Sequence, residues 1–469
     1  MTILDALDDP NLFAPCFEPL ETWAAWRAFL AAVYGLPVDA AELDVYQQHT
    51  ARPTAPSSPA REAWVIVGRR GGKSRVAALL TVYAACFRDY SSVLGPGERG
   101  MAMVLAADRR QARVVFRYVS GLFEAVPMLR AMVQDQTRDA IHLRNRISIE
   151  IHTASFRAVR GYTIVAAVLD ECAYWPTDES ANPDVEIVNA IRPGMASVPG
   201  ALLVGISSPY ARRGALWTAH TQHYGHDGDP VLVWQADTAS MNPAVDPAVI
   251  ATAYEEDEAR AAAEYGAQFR RDVESFVSRE AVDAAIVPDR RELPPRSDVV
   301  YFGFVDPSGG SQDSMTLAVA HWENEHAVLD VTRERRPPFS PDDVVREFAA
   351  LLHSYGINSV LGDRYAGEWP RERFQTHGIT YVAADHTKSE LYGTLLPLLN
   401  SGRVELLDDR RLVAQLAGLE RRTARGGRDS IDHAPGSHDD LVNAAAGALV
   451  IAEAEGAYPY LDPTCGFAR

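Results

Sequence analysis

The heptapeptide GRRGGKS carries the residue types that bind the phosphates of a nucleotide. In a phosphate-binding loop, backbone N–H groups of a glycine-rich turn surround the phosphates, a lysine neutralises them, and a Ser or Thr hydroxyl ligates Mg²⁺. Gly71, Gly72, Lys73 and Ser74 fit these roles. The usual G-x-x-x-x-G-K-S pattern would place a glycine where Val67 stands, so an ordinary glycine turn between a strand and a helix is the alternative interpretation.

Two further apolar segments end in polar residues that suit a nucleotide site. IVAAVLDE ends in Asp170 and Glu171, as when a buried parallel strand delivers carboxylates to the sheet edge where ligands bind. We expect Asp170 to hold Mg²⁺ through water and Glu171 to polarise the attacking water as general base. ALLVGISSP ends in Ser207 and Ser208, whose hydroxyls are candidates for sensing the terminal phosphate. A solvated acidic turn and a capped strand end are the alternatives.

Charge that accumulates on a transferred phosphate needs a cation beside it. Arg69 and Arg70 lie within the glycine-rich turn, and Arg160 lies in RAVRGYT, just before the strand that ends in Asp-Glu. Each is therefore a candidate for stabilising the transferred phosphate. An ordinary surface position is the alternative for all three.

Aspartates close the strands YFGFVD and NSVLGD, at Asp306 and Asp363, and open the final helix, at Asp439 and Asp440. Carboxylates at one sheet edge repel one another unless divalent cations lie between them, and two such cations roughly 4 Å apart cleave phosphodiesters. We expect Asp306 to bridge two metal ions, with Asp363 and Asp440 completing one side each. The alternatives are a turn at DPSGG for Asp306 and a helix N-cap for the Asp-Asp pair. Supporting roles are expected for Asp439, Asp313 or His438.

The elements that would position these residues alternate in the first half of the chain and change pattern in the second. From about residue 63, short apolar strands alternate with helices such as RRQARVVFRYVSGLFEAV, which predicts a parallel sheet flanked by helices. After a charged helical stretch, three successive strands precede alternating helices and strands, which predicts a mixed sheet of the ribonuclease H kind. The expected domains are 1–240 with an N-terminal helical extension, a helical connector at 241–296, and 297–469.

Composition limits the class of protein. A chain of 469 residues is too long for a single domain, since domains average about 150 residues. A content of 47% hydrophobic and 23% charged residues fits a soluble globular protein. The sequence predicts neither a membrane helix nor a signal peptide, and its dispersed cysteines favour a reducing cytoplasm. A net charge of −18 argues against a protein that coats nucleic acid through bulk attraction, so any DNA contact must be local.

Taken in order, GRRGGKS, VLDE, GISSP, FVDPSGG, LGDRYAG and HDDLVNA resemble a large terminase subunit of tailed bacteriophages, the motor and nuclease that packages viral DNA. The resemblance spans about Tyr46 to Ala452 and lies in the order and spacing of the motifs. In that family the Walker A loop is a variant with arginine four residues before the lysine, where Arg69 stands, so Val67 fits the family. The implied fold is α/β, with an N-terminal P-loop ATPase domain of the RecA/ASCE-like type and a C-terminal ribonuclease H-like nuclease domain.

The resemblance also implies roles for individual residues. The nuclease positions that match are Asp306, Asp363 and Asp440, and Asp439 stands where many relatives have a small residue, which leaves open which of the pair ligates metal. GISSP resembles the coupling motif. The ATPase positions that match are Lys73 and Ser74 for ATP and Mg²⁺, the Walker B pair Asp170 and Glu171, Arg160 as an arginine finger that acts across subunits, and Gln47 or Gln48 for adenine.

The resemblance implies ATP-driven translocation of double-stranded DNA into a procapsid, with metal-dependent cutting of concatemeric DNA in the host cell cytoplasm. The implied cofactors are ATP and Mg²⁺, with Mn²⁺ accepted at the nuclease site. The implied partners are double-stranded DNA, the portal protein, the small terminase subunit and further copies of the chain in a ring, with no membrane. A helicase-nuclease of DNA repair and a nucleotide-switched docking protein without catalysis are the alternatives. Candidate DNA contacts, or solvated faces, are Arg212, Arg213, Arg421, Arg422, Arg425 and Arg428.

Overall fold

A computed structural model of the chain describes residues 1–155, 159–175, 183–311, 313–363, 369–423, 429–435 and 437–456. These residues form two compact units, one up to Arg271 and one from Asp272 onward. None of the helices in these ranges is long and apolar enough to cross a membrane. Each unit contains one of the two groups of polar residues that the sequence singles out.

The first unit is built on an eight-stranded sheet with the strand order β3-β4-β5-β2-β6-β7-β1-β8. The strands from β5 to β8 in this order are parallel, whereas β3 and β4 form an antiparallel extension at one edge. The predicted parallel sheet is therefore confirmed. Its strands are β1 (Glu62–Val67), β2 (Gly100–Ala106), β3 (Val133–Gln136), β4 (Ala140–Leu143), β5 (Ile147–Thr153), β6 (Thr163–Asp170), β7 (Leu202–Ser207) and β8 (Val231–Ala236).

Helices cover both faces of this sheet. Alternate residues of β1 show the two-sided burial, because Val65 and Val67 enter one apolar cluster and Trp64 and Ile66 enter another. Burial on both faces explains why these strands are continuous apolar runs in the sequence. The helices are α1 (Ile3–Asp8), α2 (Ala24–Tyr34), α3 (Ala40–Thr50), α4 (Lys73–Cys86), α5 (Arg109–Ala125), α6 (Pro127–Met132), α7 (Pro183–Met195), α8 (Gly214–His223), α9 (Thr238–Met241), α10 (Pro247–Glu256) and α11 (Glu258–Glu264).

The boundary between the units falls inside the range 241–296 that the sequence analysis assigned to a connector. Residues just before the boundary pack on the first unit, since the backbone N–H of Thr238 donates to the carbonyl of Tyr265 at 2.8 Å. The side chain of Gln235, on β8, also donates to the carbonyl of Ala267 at 2.6 Å. Just after the boundary, residues 273–275 form a short strand that pairs within the second unit.

The second unit contains a six-stranded sheet with the order β14-β13-β10-β11-β12-β15 and a three-stranded sheet with the order β17-β16-β9. In the larger sheet β10, β11 and β12 are antiparallel neighbours, and β13 and β14 add in parallel beside β10. This is the predicted mixed sheet. The strands are β9 (Val273–Ser275), β10 (Tyr301–Asp306), β11 (Met315–Glu323), β12 (His326–Arg335), β13 (Ser359–Gly362), β14 (Thr380–Ala383), β15 (Val404–Glu405), β16 (Leu419–Thr423) and β17 (Asp429–His433).

The last helix of the second unit packs directly on its larger sheet. A Cβ atom at Gly447 would lie 2.2 Å from the ring of Phe304 on β10, so the absence of a side chain permits this close approach. The helix is buried for most of its length, which explains its apolar composition. The helices of this unit are α12 (Arg279–Ala285), α13 (Pro341–Ser354), α14 (Trp369–Thr376), α15 (Lys388–Asn400), α16 (Arg410–Ala417) and α17 (Asp440–Gly456).

Candidate functional sites

The glycine-rich loop connects the end of β1 at Val67 to the start of α4 at Lys73. Gly72 has φ 92°, a left-handed conformation that favours glycine, and a Cβ atom there would lie 2.9 Å from Trp26 Nε1. The first hydrogen bond to a loop carbonyl from within α4 is donated by Arg75. The amides of the preceding helix residues are therefore at the helix N-terminus, the position that binds anions.

Three side chains outside the loop hold its carbonyl groups. Trp26 Nε1 donates to the carbonyl of Gly71 at 2.7 Å. Thr238 Oγ1 donates to the carbonyl of Arg69 at 2.8 Å, and Asn242 Nδ2 donates to that of Arg70 at 2.7 Å. These donors fix the loop from outside and were not identified from the sequence, because they come from α2, α9 and the residue after α9.

Lys73 is buried, with 5% of its surface exposed, and its ammonium group has four oxygen partners. Nζ donates to the carbonyls of Val67 and Gly68, at 2.9 and 3.2 Å. It also donates to Ser208 Oγ at 2.8 Å and lies 3.4 Å from Glu171 Oε1. The structure thus brings the predicted lysine, general base and strand-end serine together.

The arrangement follows from the order of the strands. β6, β7 and β1 are adjacent and parallel, so their carboxyl ends meet at one edge of the sheet. Glu171 Oε2 accepts hydrogen bonds from Ser207 Oγ and from the backbone N–H of Ser208, both at 3.1 Å. The carboxylate of Glu171 is therefore tied to the end of β7.

Asp170 ends β6 with only 3% of its surface exposed. Burial raises the pKa of Asp170 to about 7, the charge of Glu171 acts in the same direction, and the ammonium of Lys73 opposes both. Among the described residues, Asp170 Oδ1 is buried without a hydrogen-bond partner. A buried carboxylate oxygen of this kind fits a divalent cation and its water ligands.

Of the predicted arginines, Arg69 and Arg70 lie in the loop with exposed side chains. The guanidinium group of Arg69 lies 3.5 Å from Glu264 Oε1. Arg160 is also exposed, and it lies three residues before β6, whereas Asp170 ends that strand. Arg160 and Asp170 therefore lie at opposite ends of β6.

Gln47 and Gln48 both lie on α3. Gln47 Nε2 donates to the carbonyl of Pro53 at 2.7 Å, and Gln48 is exposed. Neither side chain has a described contact with the phosphate loop.

In the second unit, Asp306 and Asp363 lie side by side at one edge of the larger sheet. Asp306 is the last residue of β10, and Asp363 follows β13, which is the parallel neighbour of β10. The backbone N–H of Asp363 donates to the carbonyl of Val305 at 3.2 Å. Two adjacent parallel strands therefore deliver these carboxylates to the same place.

Helix α17 brings Asp440 to the same edge. Thr316 Oγ1, on β11, donates to the carbonyl of Asp440 at 2.6 Å, and the Asp440 carboxylate accepts the N–H of Ser314 at 3.4 Å. One turn into the helix, Asn443 Nδ2 donates to Asp306 Oδ2 at 2.9 Å. Sequence reasoning missed Asn443, although it stands three residues after Asp440, the spacing of side chains on one helix face.

These residues line an open cleft of about 810 Å³. Seven of its lining residues are aspartates, whereas the cleft contains a single lysine and three histidines, so negative charge predominates. The predicted convergence of the aspartates is therefore observed. The charged and titratable lining residues are Asp306, Asp313, Asp363, Asp385, His386, Lys388, Asp432, His433, His438, Asp439 and Asp440.

Crowding of carboxylates perturbs their protonation. Burial raises the pKa of Asp306 to about 8, against the hydrogen bond from Asn443, and the neighbouring aspartate charges add to the rise. Burial and then the charge of Asp439 raise the pKa of Asp440 to about 6. Divalent cations relieve such repulsion, so this set of oxygen ligands fits Mg²⁺ or Mn²⁺.

Asp439 has different partners from Asp440. It is 4% exposed, accepts a hydrogen bond from Tyr392 Oη at 2.8 Å, and lies 3.0 Å from Lys388 Nζ. Both partners come from α15, one turn apart. Sequence reasoning did not identify Lys388 or Tyr392.

The expected basic segments lie partly within the structure. Arg421 lies 3.6 Å from Asp429, and Arg422 donates to the carbonyl of His433 at 2.8 Å, so both guanidinium groups contact the hairpin that contains them. The guanidinium of Arg212 lies over the ring of Trp217, 5.4 Å from its centroid. Arg425 and Arg428 lie outside the described residues.

No protein-family model and no curated protein matches the sequence. Among solved structures, the large terminase of bacteriophage HK97 is 16% identical, with 91% of this chain and 94% of that chain covered and a TM-score of 0.38. A large terminase from a thermophilic bacteriophage, in complex with ADP, is 13% identical over 83% and 94% of the two chains, with a TM-score of 0.37. The large terminase nuclease of the thermophilic phage G20c is 21% identical over 40% and 99%, with a TM-score of 0.33. These similar structures are thus large terminases, the family that the ordered motifs resemble.

Proposed function

We propose that this chain is a DNA-packaging motor subunit of the large terminase type. ATP hydrolysis in the first unit drives double-stranded DNA into a procapsid, and a metal-dependent endonuclease in the second unit cuts concatemeric DNA. The observation that supports this proposal best is the presence of two chemically different sites, each assembled within its own unit. One joins Lys73 to Glu171, and the other joins Asp306, Asp363 and Asp440.

The residues of the first site fit ATP and Mg²⁺. The ammonium of Lys73 and the amides at the start of α4 would donate to phosphate oxygens, with Ser74 at the metal position of the motif. Mg²⁺, when bound, neutralises charge on the phosphates. The unpartnered oxygen of Asp170 suits a water ligand of that ion. Glu171 would polarise the attacking water and accept its proton.

Ser208 couples the two ends of this site. Its hydroxyl accepts a hydrogen bond from Lys73, while its backbone N–H donates to Glu171. Movement of Lys73 toward a phosphate would change its hydrogen bond to Ser208. Because Ser208 also donates to Glu171, the same movement would alter the position of the general base and of the end of β7. This geometry supports the assignment of GISSP as the segment that links hydrolysis to movement.

The residues of the second site fit divalent cations. The carboxylates of Asp306, Asp363 and Asp440 converge from two strands and a helix, and carboxylate oxygens are the preferred ligands of Mg²⁺. These carboxylates would hold two metal ions, which would supply an activated water and stabilisation of the leaving oxygen of a phosphodiester. Asn443 donates a hydrogen bond to one oxygen of Asp306, which fixes the orientation of that carboxylate.

Further parts of the proposal come from the family resemblance. They are the portal protein and small terminase subunit as partners, a ring of copies on the portal, the host cytoplasm as location, Arg160 as a finger that acts across subunits, and Gln47 or Gln48 at adenine. Arg69 and Arg70 are proposed to line the phosphates. The proposed ATPase and nuclease domains correspond to the units on either side of Arg271 and Asp272, in place of a separate connector.

Separate loss of the two activities tests this function in the full chain. Lys73→Ala is expected to abolish ATP hydrolysis and to leave Mg²⁺-dependent nicking of plasmid DNA. Asp306→Ala is expected to do the reverse. Loss of both activities in either variant, with unchanged thermal unfolding, would contradict separate sites. Duplex unwinding by the wild-type chain would favour a repair helicase, and lack of ATP turnover with DNA and procapsids would favour a docking protein.

A further inference from the structure

The chain contains only two lysines. Of its 45 lysine and arginine residues, Lys73 and Lys388 are the only lysines, and all the others are arginines. A lysine offers a compact ammonium with three donors, whereas the arginine guanidinium is a wide planar fork. Because nearly every basic residue of this chain is an arginine, the presence of a lysine indicates a position that needs a compact cation. Lys73 lies in the phosphate loop, and Lys388 lies in the carboxylate cleft.

Lys388 joins two parts of the cleft wall. It is the first residue of α15, and its side chain is 30% exposed. Nζ lies 2.8 Å from Asp432 Oδ1, on β17, and 3.0 Å from Asp439 Oδ2, beside the start of α17. Ser389, the next residue, accepts the backbone N–H of Ile431 at 2.8 Å, so the start of α15 also holds β17.

The carboxylates around this ammonium have the geometry of a cation site. Asp432, His433 and Asp439 each offer a ligand atom, and these atoms lie within 4.8 Å of one another. Oxygen and imidazole ligands at such separations are typical of divalent metal sites. The ammonium of Lys388 contacts two of these three residues, and Tyr392 Oη donates to Asp439 Oδ2, the oxygen that also lies 3.0 Å from the ammonium.

We propose that Lys388 is a built-in cation of the cleft, which occupies the position between Asp432 and Asp439 that a divalent ion would otherwise take. It thereby keeps Asp439 out of the metal site and leaves Asp440 as the ligand from α17. Lys388 is a positioning residue, because it acts on the metal site through Asp439 and the start of α17. The inference rests on the proposed function only in that a metal site lies beside it.

Size explains why a lysine stands at this position. The ammonium nitrogen lies 2.8 Å from the Asp432 carboxylate and 3.0 Å from the Asp439 carboxylate, so one nitrogen atom contacts both. A guanidinium in the same place would present two nitrogens to each carboxylate and push β17 away from α17. Lys388→Arg therefore keeps the charge but is expected to shift Asp439 and Asp440.

Counting bound Mn²⁺ tests the inference without DNA. Calorimetric titration or electron paramagnetic resonance of the full chain is expected to show one more Mn²⁺ per chain in Lys388→Met than in the wild type. Adding Asp432→Asn to Lys388→Met is expected to restore the wild-type number. Lys388→Arg keeps a positive charge between Asp432 and Asp439, so it is expected to lack the additional Mn²⁺ of Lys388→Met. An unchanged number in a Lys388→Met protein that unfolds at the wild-type temperature would overturn the inference.

Crystals of the wild type soaked in Mn²⁺ give a measurement that does not depend on a variant. Anomalous scattering is expected near Asp306, Asp363 and Asp440 and absent between Asp432 and Asp439. A Mn²⁺ peak between Asp432 and Asp439 would overturn the inference. Nicking by Lys388→Met is expected to fall about 10- to 100-fold, as for other residues that orient metal ligands.

These outcomes separate the inference from the proposed function. If the wild type showed neither ATP hydrolysis nor nicking, the proposed function would fail. The Mn²⁺ count in Lys388→Met would still report whether the ammonium occupies a cation position.

Discussion

Asp439 and Asp440 are consecutive residues whose carboxylates have different partners. Asp439 accepts a hydrogen bond from Tyr392 and lies 3.0 Å from the ammonium of Lys388. Asp440 accepts one backbone N–H, from Ser314 at 3.4 Å, and is raised in pKa to about 6 by burial and by the charge of Asp439. The pair is therefore divided between a structural anchor and a carboxylate with capacity for a metal ion.

Substitution of each aspartate by asparagine is expected to separate these roles. Asp440→Asn removes a proposed metal ligand and is expected to lower the affinity for Mn²⁺ and to reduce nicking by at least about 100-fold. Asp439→Asn leaves Lys388 and Tyr392 with one charged partner fewer and is expected to cost about 1–3 kcal/mol in the free energy of unfolding. Denaturant unfolding and Mn²⁺ titration measure the two effects. A larger loss of Mn²⁺ affinity in Asp439→Asn than in Asp440→Asn would reverse the assignment.

The metal-free protein is expected to become less stable as the pH rises. In the folded state the pKa of Asp306 is raised to about 8, whereas an unfolded aspartate titrates near pH 3.9. The folded state therefore binds more protons than the unfolded state between about pH 4 and 8, and the free energy of unfolding falls across that window. Thermal unfolding in EDTA at pH 5 and pH 8 measures the fall, and Mg²⁺ is expected to raise the unfolding temperature more at pH 8.

Asp306→Asn is the variant that assigns this pH dependence. It removes the titrating group and is expected to flatten the fall between pH 5 and 8. Asp170 and Asp440, whose pKa values are raised to about 7 and about 6, contribute in the same direction, so the difference between the wild type and Asp306→Asn is the informative quantity. An identical pH dependence in the two proteins would show that Asp306 titrates normally.

Strand ends could be predicted from the sequence because buried strands leave a clear pattern. The apolar runs that end at Asp306 and Asp170 must be buried, which predicts interior strands of a sheet. The acidic residue that ends such a strand is therefore expected at the edge of the sheet. The parallel order that pairs Asp170 with Ile206, the residue before Ser207, follows from alternating strands and helices. This is why the metal and phosphate candidates were found together.

Contacts between distant elements could not be predicted in this way. Whether Asp439 contacts Lys388 or a metal depends on where α15 lies, and no local pattern encodes that position. The short strand β9 has three residues, two of them exposed, so it lacks the periodicity that reveals longer strands. For the same reason the boundary after Arg271 and the hairpin of β16 and β17 were not predicted.

Gly72 is expected to be essential to the shape of the phosphate loop. Gly72→Ala would place a side chain at φ 92° and within 2.9 Å of Trp26 Nε1. The left-handed backbone alone costs about 1–2 kcal/mol, and displacement of the loop is expected to lower kcat/KM for ATP roughly 10- to 100-fold. Steady-state ATPase assays and thermal unfolding measure the two effects.

Gly97→Ala is the matched control for Gly72→Ala. Gly97 has a similar φ of 82°, but a Cβ atom there meets no other atom within 4 Å. It is expected to lose a similar amount of stability without a change in kcat/KM. Equal ATPase activity in the two variants would mean that the loop tolerates displacement at Gly72.

Arg160 is expected to act on the active site of a neighbouring copy. Arg160 precedes the first residue of β6, and Asp170 is the last residue of that strand. The eight residues of β6 span roughly 23 Å at the usual rise per residue, so Arg160 lies far from the Asp170 of its own chain. On procapsids with DNA, Arg160→Ala and Lys73→Ala chains are each expected to show little ATP hydrolysis. A mixture is expected to exceed both, because an Arg160→Ala chain keeps its phosphate loop and its Lys73→Ala neighbour supplies the arginine. Chains that carry both substitutions are the control, and failure of the mixture to exceed that control would remove Arg160 from the neighbouring site.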